Sequence, residues 1–248
     1  MQQMKNISTI RVAGVILLLI ALVSAVSAYY GVSAEWVTNY QGTGLGDLQH
    51  SDENAQGFYY ELGGDSSWIG NFINGDDNAM ERHWKDPSHG GVDNSYMDNA
   101  YFGFFSGHGI PSGIRFRTNN DDTLLSYSDA LWGNTHLVWV ALDACEVLKQ
   151  SGVSNWYTAF GGIHSIVGFD TVTHDPSDRG SNFASRMDGT LTTQPVITAW
   201  FMAAADTEPF SSTYAAALAK EGCWSDYVYG HGSQGTPGTS FLYQRYSC

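Results

Sequence analysis

Three short apolar runs constrain this chain most: YFGFF (101–105), HLVWVAL (136–142) and HSIVGF (164–169). Each is continuous rather than alternating, and rich in aromatic and β-branched residues. A strand with one wet face alternates apolar and polar side chains; one covered on both faces, as in a parallel sheet, need not. Helical spacing is read at 146–158, 178–188, 194–205 (QPVITAWFMAAA) and 212–220 (STYAAALAK). Strands alternating with helices predict an α/β fold: a three-layer sandwich with a mostly parallel central sheet, helices on both faces and right-handed crossovers. Upstream, residues 34–40 (AEWVTNY) read as a first strand and 42–55 as a glycine- and acid-rich loop. Residues 66–84 read as a helix interrupted at Asn74-Gly75-Asp76-Asp77. The tail reads as a long turn, GHGSQGTPGTS, and a closing edge strand, FLYQRY.

The 248 residues suit one sizeable α/β domain, taken as 29–248. Residues 1–28 have the form of a signal peptide. Lys5 and Arg11 give a positive start, Val12 to Val23 are almost wholly apolar, and Val26-Ser27-Ala28 offers small residues for cleavage. The same segment left uncleaved would be a membrane anchor, so the expected location is secreted or on the outer face of the cell. Without those residues the balance is 9 Lys+Arg against 25 Asp+Glu, a net charge of −16. So acidic a surface argues against nucleic acid and anionic lipid as partners.

The three apolar runs end on chemistry. The first runs into Ser106-Gly107-His108-Gly109, the second into Asp143-Ala144-Cys145, the third into Asp170. In a parallel sheet these carboxyl ends lie along one edge, where open α/β sheets collect their ligands. A histidine between two glycines has neighbours without Cβ, so a substrate backbone could come close. The amide of Gly109 could point at a developing oxyanion. Cys145 would open a helix over 146–156, and a helix N-terminus or an imidazolium lowers a thiol's pKa. Asp170 could line a pocket for a basic side chain or cap the turn before Thr171; Asp143 reads as structural or as part of a substrate site.

Three cysteines are present, Cys145, Cys223 and Cys248. A bridge between Cys223 and Cys248, both near the C-terminus, would suit an exported chain and leave Cys145 as the odd thiol.

A hydrophobic block ending in His-Gly, followed by a second ending in Asp-Ala-Cys, resembles the caspase-like cysteine peptidases: caspases, legumains, gingipains and clostripain. The run Asp143-Ala144-Cys145-Glu146 is closer to the legumain or clostripain style than to the caspase run Q-A-C-x-G, which is absent. With Asp98-Asn99-Ala100 before the first block, the pattern also resembles an uncharacterised, exported prokaryotic family of this type. The resemblance covers roughly 100–170. It implies a caspase-like fold and a peptide or protein substrate, with Cys145 as nucleophile and His108 as acid–base. Gly109 and the Cys145 amide would form the oxyanion hole, and no cofactor is needed. His108 and Cys145 are 37 positions apart, fewer than the roughly 50 of caspases, so caspase-type loops do not carry over. A catalytically silent binding or cell-surface module of the same fold is the alternative.

Other constellations are absent from the sequence. The remaining histidines form no H-x-x-x-H pair and there is no Cys-x-x-Cys, so no metal site is expected. No G-x-S-x-G elbow or P-loop occurs, and the GTGLG at 42–46 is followed by no helical pattern. Asp76-Asp77 and Asp121-Asp122 read as solvated loop acids rather than calcium ligands, and the eight tryptophans as core.

Overall fold

A computed structural model describes residues 29–117 and 121–248; the expected signal peptide lies outside the described residues. Seven strands form one sheet: β1 (Tyr30–Trp36), β2 (Trp68–Gly75), β3 (Phe102–Ser106), β7 (Trp139–Asp143), β8 (Ser165–Phe169), β9 (Tyr214–Lys220) and β10 (Phe241–Ser247). Their order is β10-β9-β8-β7-β3-β1-β2. The first five are mutually parallel, and β9 pairs antiparallel with both β8 and β10. The three apolar runs are thus neighbouring parallel strands, as their unbroken hydrophobicity predicts. A second sheet of three short strands, β4 (Gly109–Ile110), β5 (Gly113–Arg115) and β6 (Leu124–Ser126), is inserted between β3 and β7.

The fold is a three-layer α/β sandwich whose outer layers differ in kind. On one face Phe102, Phe104, Trp139, Ala141 and Phe169 pack with α1 (Ser51–Gly63), α2 (Arg179–Met187) and α3 (Val196–Thr207) through Phe58, Leu62, Phe183 and Trp200. On the other, Phe105, Val140, Leu142 and Ile166 meet Trp84, Trp132 and Trp156, carried by 3-10 turns and loops. Alternate residues of one strand serve opposite cores, so the central strands are apolar on both faces. Among the described residues no helix is long and apolar enough to cross a membrane.

Four sequence expectations give way. Residues 66–84 hold a strand, β2, followed by 3-10 turns; β2 is an outer strand with alternate residues exposed, which blurs its period. The alanine-rich 212–220 forms β9. Helix propensity is a weak prior, and here small side chains buried on both faces fit between β8 and β10 under α3. Residues 42–55 are not all loop, because α1 begins at Ser51. No α-helix opens at Cys145: Glu146 has φ +56°, outside the right-handed helical region, and before β8 only a 3-10 helix, Val153–Ala159, forms.

The cysteine pairing is also corrected. All three cysteines are free. The amide of Cys223 bonds Lys220 at one end of β9, while that of Cys248 bonds Thr213 at the other. Seven residues of extended chain hold them about 20 Å apart, and a disulfide needs Cα atoms within about 7 Å.

Candidate active-site cleft

The sheet's connections diverge between β1 and β3: β1 leads outward to β2, whereas β3 leads toward β7 and β8. Open α/β sheets bind ligands outside the carboxyl ends of the strands at such a switch point. A cleft of about 200 Å³ lies there. The segment after β1 lines it with Leu48 and Ser51, that after β3 with Gly107 and His108, that after β7 with Cys145, and that after β8 with Val172 to Asp175. Register places Ser106 beside both Trp36 and Asp143, so the segments bearing His108 and Cys145 leave the sheet at one level.

His108 is fixed by groups distant in sequence. Its Nε2 lies 2.8 Å from the carbonyl oxygen of Gly46. A carbonyl only accepts, so Nε2 carries the hydrogen and Nδ1 of the neutral ring is left as a proton acceptor. The His108 amide donates to the Tyr40 hydroxyl at 2.7 Å, and that hydroxyl donates to the Arg115 carbonyl at 3.2 Å. Tyr40 thus inserts its oxygen where a direct β-ladder bond would run, since Arg115 N–H already donates to the His108 carbonyl.

The flanking glycines are explained by the protein itself. A Cβ on Gly107 would stand 2.5 Å from the Tyr40 hydroxyl oxygen; one on Gly109 would stand 2.6 Å from the Cys145 carbonyl oxygen. The space expected for a substrate backbone is filled by Tyr40 on one side and the Cys145 turn on the other. Gly109 faces Ile114 in the register next to the Arg115–His108 hydrogen bond, making theirs a non-hydrogen-bonded pair, so the Gly109 N–H turns away from β5. Among the described residues no backbone carbonyl accepts the Cys145 amide.

Cys145 is half-buried, and its sulfur is held by Thr173: the Thr173 N–H donates to Sγ at 3.4 Å, and the thiol donates to the Thr173 carbonyl at 3.8 Å. Burial raises the thiol's pKa above its ordinary value, and the carboxylates of Asp143, Glu146 and Glu208 add to this, against the Thr173 amide. With no helix N-terminus behind it, the thiol rests protonated, and a base must take its proton when it acts.

The two aspartates have structural partners. Asp143 is buried and bonds Arg179 at 2.6 Å; Arg179, wholly buried, also pairs with Glu208, whose carboxylate accepts the His174 amide at 3.0 Å. This network underpins the segments bearing Cys145 and Thr173. Asp170 belongs to a neighbouring cavity, where Arg245 lies 2.9 Å from it and the Tyr243 hydroxyl donates to it at 3.2 Å. Its charge is met by Arg245, which leaves none over for a basic substrate side chain in the Cys145 cleft.

Tyr40, Gly46, Thr173 and Arg179 have no signature in the sequence. Each acts through a contact between residues far apart in the chain. His174, exposed, lines the cleft as a second imidazole.

These features define an α/β protein with a cysteine and an oriented histidine at the switch-point edge of its sheet. A family model for a domain of unknown function, DUF6345, matches residues 34–245, and the chain belongs to that family. Over 155 residues the chain is 26% identical to an uncharacterized protein of Archaeoglobus fulgidus, across 56% of this chain and 58% of that relative.

Proposed function

We propose that the protein is an exported, caspase-like cysteine peptidase. The observation that carries this reading is the shared cleft of His108 and Cys145 at the carboxyl ends of adjacent parallel strands, with Nε2 tied to Gly46 so that Nδ1 is the free base. His108 Nδ1 takes the thiol proton as the sulfur attacks the scissile carbonyl carbon. The amides of Gly109 and Cys145 stabilise the oxyanion. Collapse expels the amine, which leaves with the proton from His108 and gives a thioester on Cys145. Water then attacks the thioester, His108 takes its proton, and the acid departs as the proton returns to sulfur.

A second reading, a catalytically silent binding module, is favoured by the Thr173 clamp on the sulfur and the raised thiol pKa. Turnover of a mixed peptide library under reducing conditions separates the two. The peptidase reading expects cleavage by the wild type and none by folded Cys145→Ala or His108→Ala variants. A folded wild type that cleaves nothing supports the binding module.

A further inference from the structure

At the opposite edge of the sheet, His164, Cys223 and Asp226 bring one ligand atom each within 4.8 Å of one another. His164 immediately precedes β8; the other two stand three apart in a turn just after β9. Cys223 and Asp226 are buried, and the His164 side chain is 13% exposed. We propose that these three residues bind a divalent transition metal, with Zn2+ the best fit.

The donors are a thiolate, an imidazole and a carboxylate, the set that zinc accepts in tetrahedral sites with water in the fourth position. One thiolate, one carboxylate and a neutral imidazole balance a divalent charge, which a buried site requires. His164 Nδ1 now lies 2.5 Å from Asp226 Oδ2, a hydrogen bond that the carboxylate accepts. Zinc between tetrahedral ligands spaces their atoms by about 3.3–3.7 Å, so side-chain rotation that parts the pair by about 1 Å opens the position. Binding moves the imidazole proton to Nε2 and releases the Cys223 proton to solvent.

Outer partners hold the carboxylate. Gly235 N–H donates to Asp226 Oδ1 at 2.6 Å and the Trp139 indole to Oδ2 at 3.2 Å, the kind of support that orients metal ligands. The site also has a structural task. Residues 221–240 join β9 to β10 without helix or strand, and loops of this length need an anchor or a function. Cys223 and Asp226 lie at the loop's base, and Gly235 returns to it, so a metal clamps the loop to the amino-terminal edge of β8.

The test is Co2+ titration of chelator-treated protein. The expected result is one Co2+ per chain with a thiolate-to-cobalt charge-transfer band, removed by Zn2+, and a higher melting temperature with Zn2+ than with chelator. Cys223→Ser should lose the band. The Cys145→Ala/Cys248→Ala double variant, in which Cys223 is the sole thiol, should keep it. No thiolate band in that double variant, or a band that survives in Cys223→Ser, overturns the assignment.

Discussion

The amide of His108 donates to the Tyr40 hydroxyl at 2.7 Å, and their rings stand 4.5 Å apart. A residue 68 positions upstream thus completes the backbone of the proposed base. Tyr40→Phe keeps the ring but leaves the His108 amide and the Arg115 carbonyl without their partner. We expect about 1–3 kcal/mol lower stability, the cost of unpaired buried polar groups. Peptide turnover should fall chiefly in kcat, because Tyr40 positions the base and lines no part of the cleft. Chemical denaturation and steady-state kinetics check this; an unchanged kcat would remove Tyr40 from the positioning role.

The glycines on either side of His108 make a sharper demand. In Gly109→Ala the new methyl would meet the Cys145 carbonyl oxygen at 2.6 Å and the Ala144 Cβ at 2.8 Å. The Cys145 turn must then shift, and misplacement of about 1 Å at a reacting centre costs on the order of 100-fold in rate. The expected outcome is at least that loss of turnover, with circular dichroism near wild type. Turnover within a few-fold of wild type would mean that the two segments need not touch for catalysis.

Arg179 and Asp143 bear on stability rather than chemistry. Arg179→Met leaves two buried carboxylates, Asp143 and Glu208, facing a thioether. Breaking a buried ion pair from one side costs about 3–5 kcal/mol, so the variant should unfold at much lower denaturant or fail to accumulate. Asp143→Asn retains a hydrogen-bond acceptor and should cost less. Equal stability of Arg179→Met and wild type would show that the network is not structural.

The central sheet could be read from the sequence because burial on both faces leaves an unbroken apolar record, and YFGFF, HLVWVAL and HSIVGF carry it. β2 and β9 could not. Ile69 in β2 is half exposed, and the alanines of β9 follow helix preference until β8 and β10 flank them. His108 and Cys145 were legible as strand-end residues. What orients them was not, since Gly46 offers only a carbonyl, and Thr173 meets the sulfur through its own amide and carbonyl. The His164–Cys223–Asp226 cluster forms no short sequence motif, because 59 positions separate His164 from Cys223.

Burial raises the Cys145 thiol's pKa, which predicts how it reacts. At neutral pH its thiolate fraction is below that of an ordinary cysteine, so alkylation by iodoacetamide should be slow. The rate should keep rising with pH after a free cysteine has levelled off, and unfolding should restore ordinary behaviour. Mass-spectrometric labelling of Cys223→Ser/Cys248→Ser protein isolates the Cys145 signal. A rate already at its plateau below neutral pH would reveal a preformed thiolate, and with it a thiol activated before substrate arrives.

Asp93 supplies the pH prediction. Both its carboxylate oxygens are buried without a hydrogen-bond partner, and burial, with the charges of Asp98 and Asp86, pushes its pKa up to about 8. The folded state therefore holds the proton more tightly than the unfolded chain, where an aspartate titrates near 3.9. Stability from this group is complete below that value, declines as pH rises, and is lost by about pH 8. Glu35, held at 2.6 Å by His83 and at 2.7 Å by the Trp84 indole, is pushed by burial to about 7 and acts in the same direction. Asp93→Asn cannot ionise. Its stability relative to wild type should therefore rise between about pH 4 and pH 8, by about 1.4 kcal/mol per pH unit and on the order of 5 kcal/mol in all. Urea melts of both proteins at pH 5, 6, 7 and 8 measure the difference. A constant gap across that range would mean that Asp93 is already ionised in the folded protein and has found a partner.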